Sequence, residues 1–358
     1  MKKRGITALV ASLLIGGILL NEPADACSRV VHQFQNGMVL TGRSMDWFVR
    51  YPTSLWKFPR GIGREGLTPR NPARWTSRYG SVVVVQTAAG TQSATADGIN
   101  EKGLAANLMY LTETRYPKRD PKIPGVASSV YLQYLLDNFA TVAEAVAFLK
   151  KDAIQIVPVP IPRSEHLPTM HIALSDATGD SAIVEFLNGR TVIHHSRKYR
   201  VMTNSPIYEK QLTLTAYWKA IGGHSFLPGT RNSPDRFVRA SFYNEGLPET
   251  NSTREAIAEV MSVIRNVSSP FGHPDPQKPN ISTTLWRVVA DQTHGRYYYE
   301  STLSPNVLWV DLTKFDFTPG SGTKVLHLGE ESDFCGEVNG RFHVTKPLRF
   351  APVPELKR

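Results

Sequence analysis

The sequence is poor in cysteine, with only Cys27 and Cys335 in 358 residues. Two thiols cannot build a disulfide framework, so an apolar core must hold the fold together. Its 26 glycines and 25 prolines are too few and too scattered for a collagen-like or low-complexity chain. Long hydrophobic runs are also missing. Residues 6–20 carry no charge, but that stretch falls short of the ~20 residues a membrane-spanning helix needs. No later apolar stretch is comparable, so the chain is not expected to span a membrane. A serine nucleophile elbow, GxSxG, is absent, and so are HExxH and paired-cysteine metal motifs.

Two weak signals dissolve in their context. Gly61-Ile62-Gly63-Arg64-Glu65-Gly66 spells a dinucleotide fingerprint, but proline-rich sequence follows where a helix must begin. His194 and His195 are neighbours on an expected strand, so they point to opposite faces and cannot readily share one ion. Neither a cofactor nor a metal is expected. Lys and Arg exceed Asp and Glu by 41 to 31, yet the positive charge is spread. Its densest stretch, 115–122, is interrupted by Pro117, Asp120 and Pro121 and reads as a solvated loop. No nucleic-acid partner is expected, although the excess charge favours anionic substrates.

The amino terminus is informative. Met1-Lys2-Lys3-Arg4 is basic, the uncharged stretch follows, and Ala24-Asp25-Ala26 is a small-x-small cleavage site. Residues 1–26 therefore read as a cleaved secretory signal, and 27–358 as a single domain exported to the periplasm. Cleavage after Ala26 makes Cys27 the first residue of the mature protein. Three other readings of Cys27 remain open at this level: an acylated cysteine on a non-catalytic lipoprotein or binding protein, a structural thiol, or a disulfide to Cys335. Catalysis by Cys27 requires that the disulfide be absent.

Patterning gives the layers. Strands are expected at 28–34, 38–47, 81–87 and 103–111, with the continuous apolar run of Val82–Val85 marking a strand buried on both faces. Helices are expected at 130–139 and 142–149, the second capped by Thr141. Strands return at 170–175, 181–186 and 190–194, then helices at 206–221, 233–244 and 253–265, where Ser252 and Glu255 suggest a capping box. Strands at 286–290, 296–301, 307–312 and 324–328 close the chain. Proline-rich pieces at 158–162 and 270–279 read as loops. Alternating blocks of strands and helices imply sheet layers covered by helices, an α+β arrangement.

A mature N-terminal cysteine carries its own base. The thiol is a good nucleophile and the free α-amine, with a pKa of about 7.7–8.0, takes its proton. Arg43 and Asp46 supply a cation and a carboxylate in one segment. On a regular strand they face opposite sides, so the chain is expected to bend or end near Ser44 for both to reach Cys27.

Taken with Asp97-Gly98-Ile99-Asn100-Glu101-Lys102-Gly103-Leu104, Thr203-Asn204-Ser205-Pro206, residues 233–239 and residues 266–272, these residues resemble the choloylglycine hydrolase family of N-terminal-nucleophile hydrolases. The resemblance runs from Cys27 to the carboxyl terminus. It implies a four-layer αββα sandwich and a hydrolase of linear amide C–N bonds acting on a small acylated substrate. It further implies Cys27 as nucleophile and base, Arg43 beside the thiol, Asp46 accepting from the α-amine, and Asn204 donating to the oxyanion. The backbone N–H of Tyr110 would complete that hole, and Arg236 is the further active-site arginine.

Tyr110 stands where many bile salt hydrolases have Asn, Trp47 follows Asp46, and the interval from Asn204 to Arg236 is short. Together these features resemble the Gram-negative penicillin V acylase branch, some of whose members cleave N-acyl homoserine lactones. Trp47 and Tyr110 are expected to wall the substrate pocket, with loops at 55–64 and 111–122 shaping it. Conjugated bile acid hydrolysis is the alternative activity, and a homotetramer is the family expectation.

Overall fold

The structure, a computed structural model, describes residues 27–88, 92–160, 168–223, 225–272, 282–329 and 332–355. The expected signal at 1–26 lies outside them, as do parts of the two proline-rich loops. Two large sheets stack face to face. Sheet I has seven strands in the order Val201–Met202, β1 (Ser28–Gln33), β2 (Val39–Trp47), Thr283–Asp291, Arg296–Ser301, Val307–Asp311 and Gly336–Glu337. Sheet II has nine, in the order Arg190–His195, Ser181–Leu187, Met170–Ser175, Ala105–Tyr110, Gln92–Asn100, Ser81–Ala88, Thr53–Phe58, Lys324–Leu328 and His343–Val344.

The run Val82–Val85 explains the stacking. Alternation sends Val82 and Val84 toward sheet I, where they pack with Leu285, Trp286, Tyr297 and Tyr299. Val83 and Val85 face away, toward α1 (Ser128–Asn138) and α2 (Val142–Leu149). All four valines are buried, as a strand covered on both faces requires. On the far side of sheet I lie α3 (Tyr208–Ile221), α4 (Ser233–Glu245) and α5 (Thr253–Asn266). The apolar stripe of α5, including Ala256, Val260 and Ile264, packs with Val30 and Leu40 of the first two strands. The result is the expected αββα sandwich.

Local chemistry sets the helix ends. Thr141 Oγ1 accepts from Glu144 N at 3.2 Å and Ser252 Oγ accepts from Glu255 N at 3.3 Å, as N-cap hydroxyls do. The reciprocal half of the capping box at Ser252 does not form. Glu255 Oε2 takes the hydroxyl of Thr250 instead, and Thr250 Oγ1 accepts from Ser252 N.

Thr53–Phe58 and Gln92–Asn100 escape the periodicity reading, as do strands of two or three residues such as Gly125–Ala127 and Val201–Met202. Gln92–Asn100 is mostly small and polar, and its pairing with strands on both sides makes it a strand. The glycine-rich 61–66 segment forms one arm of a short hairpin, Gly63–Glu65 against Arg74–Thr76. His194 and His195 take different carboxylates, Glu185 and Asp180. No described helix is long and apolar enough to cross a membrane.

Candidate active site

Cys27 immediately precedes β1, which lies between Val201–Met202 and β2. It is buried, and its thiol is not in a disulfide; Cys335 is likewise free but exposed. Arg43 and Met45 share one face of β2, as alternation requires. Arg43 Nη2 lies 3.9 Å from Cys27 Sγ and donates to Met45 Sδ at 3.0 Å and Leu108 O at 2.9 Å. The guanidinium sits 4.4 Å over the ring of Trp286. Burial pushes the Cys27 thiol up, while Arg43 pulls it down and Asp46 adds to the rise.

The expected bend near Ser44 is absent. β2 runs through to Trp47, and the irregularity lies on its neighbour, between Thr284 and Trp286 opposite Asp46 and Met45. Asp46 meets the thiol through its backbone carbonyl, 3.7 Å from Sγ. Its carboxylate faces Ser44, whose hydroxyl is 3.5 Å from Oδ2. Burial raises the Asp46 carboxyl to about 6 against the pull of Arg236.

Asn204 and Arg236 arrive from far along the chain. Asn204 follows the short strand beside β1 by two residues. Its Oδ1 accepts from Cys27 N at 2.5 Å, and its Nδ2 donates to Tyr110 O at 2.7 Å. With residue 26 attached, Cys27 N is a peptide nitrogen with a single hydrogen, which Asn204 takes. Arg236, in the first turn of α4, donates to Cys27 O and Ser28 Oγ, each at 2.6 Å, and to Asn204 Oδ1 at 3.0 Å. All seven residues singled out from the sequence lie within this one neighbourhood.

Cys27 opens onto an apolar cavity of about 140 Å³, lined among others by Met45, Trp47, Leu108, Tyr110, Val159 and Met170. The Trp47 and Tyr110 rings lie 5.9 Å apart. The loops at 55–64 and 111–122 do not shape this cavity. Residues 55–58 are buried strand, and among the described residues the further walls come from Gln86, Ala88, residues 92–96, the start of α1, Val159, Pro160 and Pro168. Sequence reasoning also passed over Met45 and Gln211. Strand alternation from Arg43 signals the first; nothing local signals the second.

The family model for linear amide C–N hydrolases, choloylglycine hydrolase family, matches residues 27–323. The chain belongs to the choloylglycine hydrolase family. Its match begins at the residue that heads this site. Among relatives, penicillin V acylase of Pectobacterium atrosepticum is 41% identical over 97% of this chain and 98% of its own. The solved penicillin V acylase of Agrobacterium tumefaciens superposes with a TM-score of 0.84 at 48% identity, covering 91% of this chain and all of that one. A bile salt hydrolase/transferase of Clostridium perfringens is 26% identical over 80% of this chain and 93% of its own. Like other choloylglycine hydrolases, this protein is therefore a hydrolase of linear amide C–N bonds with a small-molecule amide substrate. The reading of the chain as a non-catalytic lipoprotein or binding protein falls with that.

Proposed function

We propose that this chain is an exported amidase of the penicillin V acylase kind, matured by cleavage after Ala26 so that Cys27 becomes both nucleophile and base. The observation that carries the reading is the position of Cys27, at the meeting point of an apolar aromatic-walled cavity and a ring of Arg43, Asp46, Asn204 and Arg236. The two penicillin V acylase relatives, similar over nearly the whole chain, support the substrate class. Periplasmic location rests on the amino-terminal pattern alone.

The chemistry follows from the groups present. The freed α-amine takes the thiol proton, and Sγ attacks the amide carbonyl carbon. Negative charge develops on oxygen, where the second hydrogen of Asn204 Nδ2 and the Tyr110 N–H would stabilise it; one such donor contributes roughly 2.7–4 kcal/mol. The ammonium then protonates the leaving nitrogen, the C–N bond breaks, and a thioester remains. Water, activated by the same amine, attacks the thioester to give the acid and restore the thiol. Arg43 favours the thiolate, Asp46 would orient the freed amine, and Arg236 fixes the Cys27 carbonyl. Trp47 and Tyr110 suit a phenoxyacetyl group.

The test is release of amine from phenoxymethylpenicillin by protein beginning at Cys27. Cys27→Ala is expected to abolish release, and Asn204→Ala to lower the rate by ~10²–10³ with the fold intact. Near wild-type turnover in either variant would defeat the assignment. Absence of release from protein shown by mass to carry a free Cys27 would move the substrate to glycine- and taurine-conjugated bile acids, in line with the C. perfringens relative.

A further inference from the structure

An amidase must place two groups, one on each side of the scissile bond. The apolar cavity beside Cys27 serves the acyl side. A second cleft adjoins it, about 350 Å³, lined among others by Arg50, Tyr51, Thr53, Trp286, Tyr299 and His327. Tyr51 borders both spaces. Sheet register makes them neighbours in two further places. Met45 of the cavity pairs with Trp286 of the cleft in sheet I, and Gln86 of the cavity pairs with Thr53 of the cleft in sheet II. The two spaces are therefore lined from adjacent, paired strands in both sheets. Trp286 lies under Arg43, so a single guanidinium separates the cleft wall from the Cys27 thiol.

The chemistry of the cleft is opposite to that of the cavity. Its described lining holds one permanent cation, one imidazole, several hydroxyls and no carboxylate. Arg50 forms no ion pair among the described residues; its guanidinium lies 5.9 Å from the Phe271 ring centroid and acts on the Tyr299 hydroxyl, which shares the cleft. The indole nitrogen of Trp286, in a side chain 2% exposed, is a buried donor with no hydrogen-bond partner among the described residues, an arrangement native proteins rarely leave without a purpose.

We propose that this cleft is the subsite for the leaving amine and that Arg50 selects amines bearing an anionic group, a carboxylate or sulfonate. The proposal rests on the amidase reading and sharpens it. Penicillins and amino-acid-conjugated bile acids release anionic amines, whereas N-acyl homoserine lactones release a neutral one and gain nothing from Arg50. The guanidinium holds a carboxylate through paired N–H donors, and binding there does not touch the reacting atoms. Its loss should therefore appear in KM and leave kcat alone.

The experiment compares two substrates with the same acyl group on protein beginning at Cys27: phenoxymethylpenicillin, and the 4-nitroanilide of phenoxyacetic acid, whose amine is neutral. Arg50→Ala is expected to raise KM for the penicillin about tenfold, a loss of ~1.4 kcal/mol, with kcat and the anilide KM unchanged. Arg50→Lys should recover part of that loss. Inhibition by 6-aminopenicillanic acid should weaken in parallel with the KM change. A KM that rises equally for both substrates, or for neither, overturns the subsite while leaving the amidase standing. Wild-type protein that cleaves neither overturns the amidase reading and the subsite with it.

Discussion

Asp46 is a carboxyl held in the wrong medium for its charge. Burial raises it to about 6, against an ordinary ~3.9. Between those values the folded chain binds a proton that the unfolded chain does not, so this group's contribution to stability falls as pH rises through that window. In the chain that retains residue 26, Asp46→Asn should therefore melt progressively higher, relative to wild type, from about pH 4 to about pH 7, and then hold level. A flat difference would show that the carboxyl ionises freely in the fold. If the proposed cleavage frees an α-amine that Asp46 orients, its positive charge should bring the carboxyl down and shrink that slope. Asp97 presents a related case. Its carboxylate lies 3.8 Å from Arg43 Nε and is held by Tyr297 Oη at 2.6 Å and Asn107 Nδ2 at 2.8 Å. Removing its charge leaves more of the Arg43 field to the thiol. Asp97→Asn should move the pH midpoint of Cys27 alkylation downward, and an unchanged or higher midpoint would mean that Asp97 does not temper Arg43.

At the scale of elements, the site depends on how closely helices approach sheet I. Gly42 lies in β2 beneath α5, and a Cβ there would meet Ile264 Cγ1 at 2.7 Å and Val260 Cγ1 at 2.9 Å. Both are branch atoms of packed side chains, so Gly42→Ala must push α5 outward. Overpacking of this kind costs about 1–3 kcal/mol, which denaturant unfolding would measure; a neutral substitution would show that α5 yields freely. The loop carrying Asn204 is clamped from α3. Gln211 Nε2 lies within 3.2 Å of Thr203 Oγ1, Asn204 O, Ser205 O and Ser233 Oγ. Gln211→Leu keeps the bulk and removes the donor, leaving buried carbonyls unpaired at about 1–3 kcal/mol. Because those carbonyls flank Asn204, amide turnover should fall more than in Thr141→Ala, which removes only the α2 cap and costs ~1 kcal/mol. Equal kcat values in the two variants would separate the clamp from catalysis.

For the molecule as a whole, the first strand is the constraint. Ser28 pairs with Ser44 inside sheet I, so Cys27 is held at the head of a paired strand, with its nitrogen against Asn204 Oδ1. Protein cleaved after Ala26 is therefore expected to be active, and protein with an uncleavable residue 26 inactive but similarly stable. Intact mass and amine release on the two forms would decide this, and equal activity would remove the need for a free α-amine. Much of the architecture was legible locally. The apolar run in 81–87 and the caps at Thr141 and Ser252 are short-range patterns that a doubly covered strand or a helix end imposes on its sequence. So was the proposal for Cys27, because a small-x-small pattern, Ala24-Asp25-Ala26, and a thiol sit side by side.

What local pattern does not carry is who meets that thiol. Asn204 is 177 residues from Cys27 and Arg236 is 209; motif resemblance, not periodicity, singled them out. The strand Gln92–Asn100 exists because it is flanked, and among the described residues the cavity walls come from Gln86, Ala88, residues 92–96, the start of α1, Pro160 and Pro168, not from the loops nearest the motif. Sequence alone determined the nucleophile candidate, the layers and most of the elements, since those depend on neighbours a few residues away. The tertiary structure decided the ring around Cys27, the route of Arg43 over Trp286 and the cleft at Arg50, because strand pairing and helix packing join segments whose separation leaves no local trace.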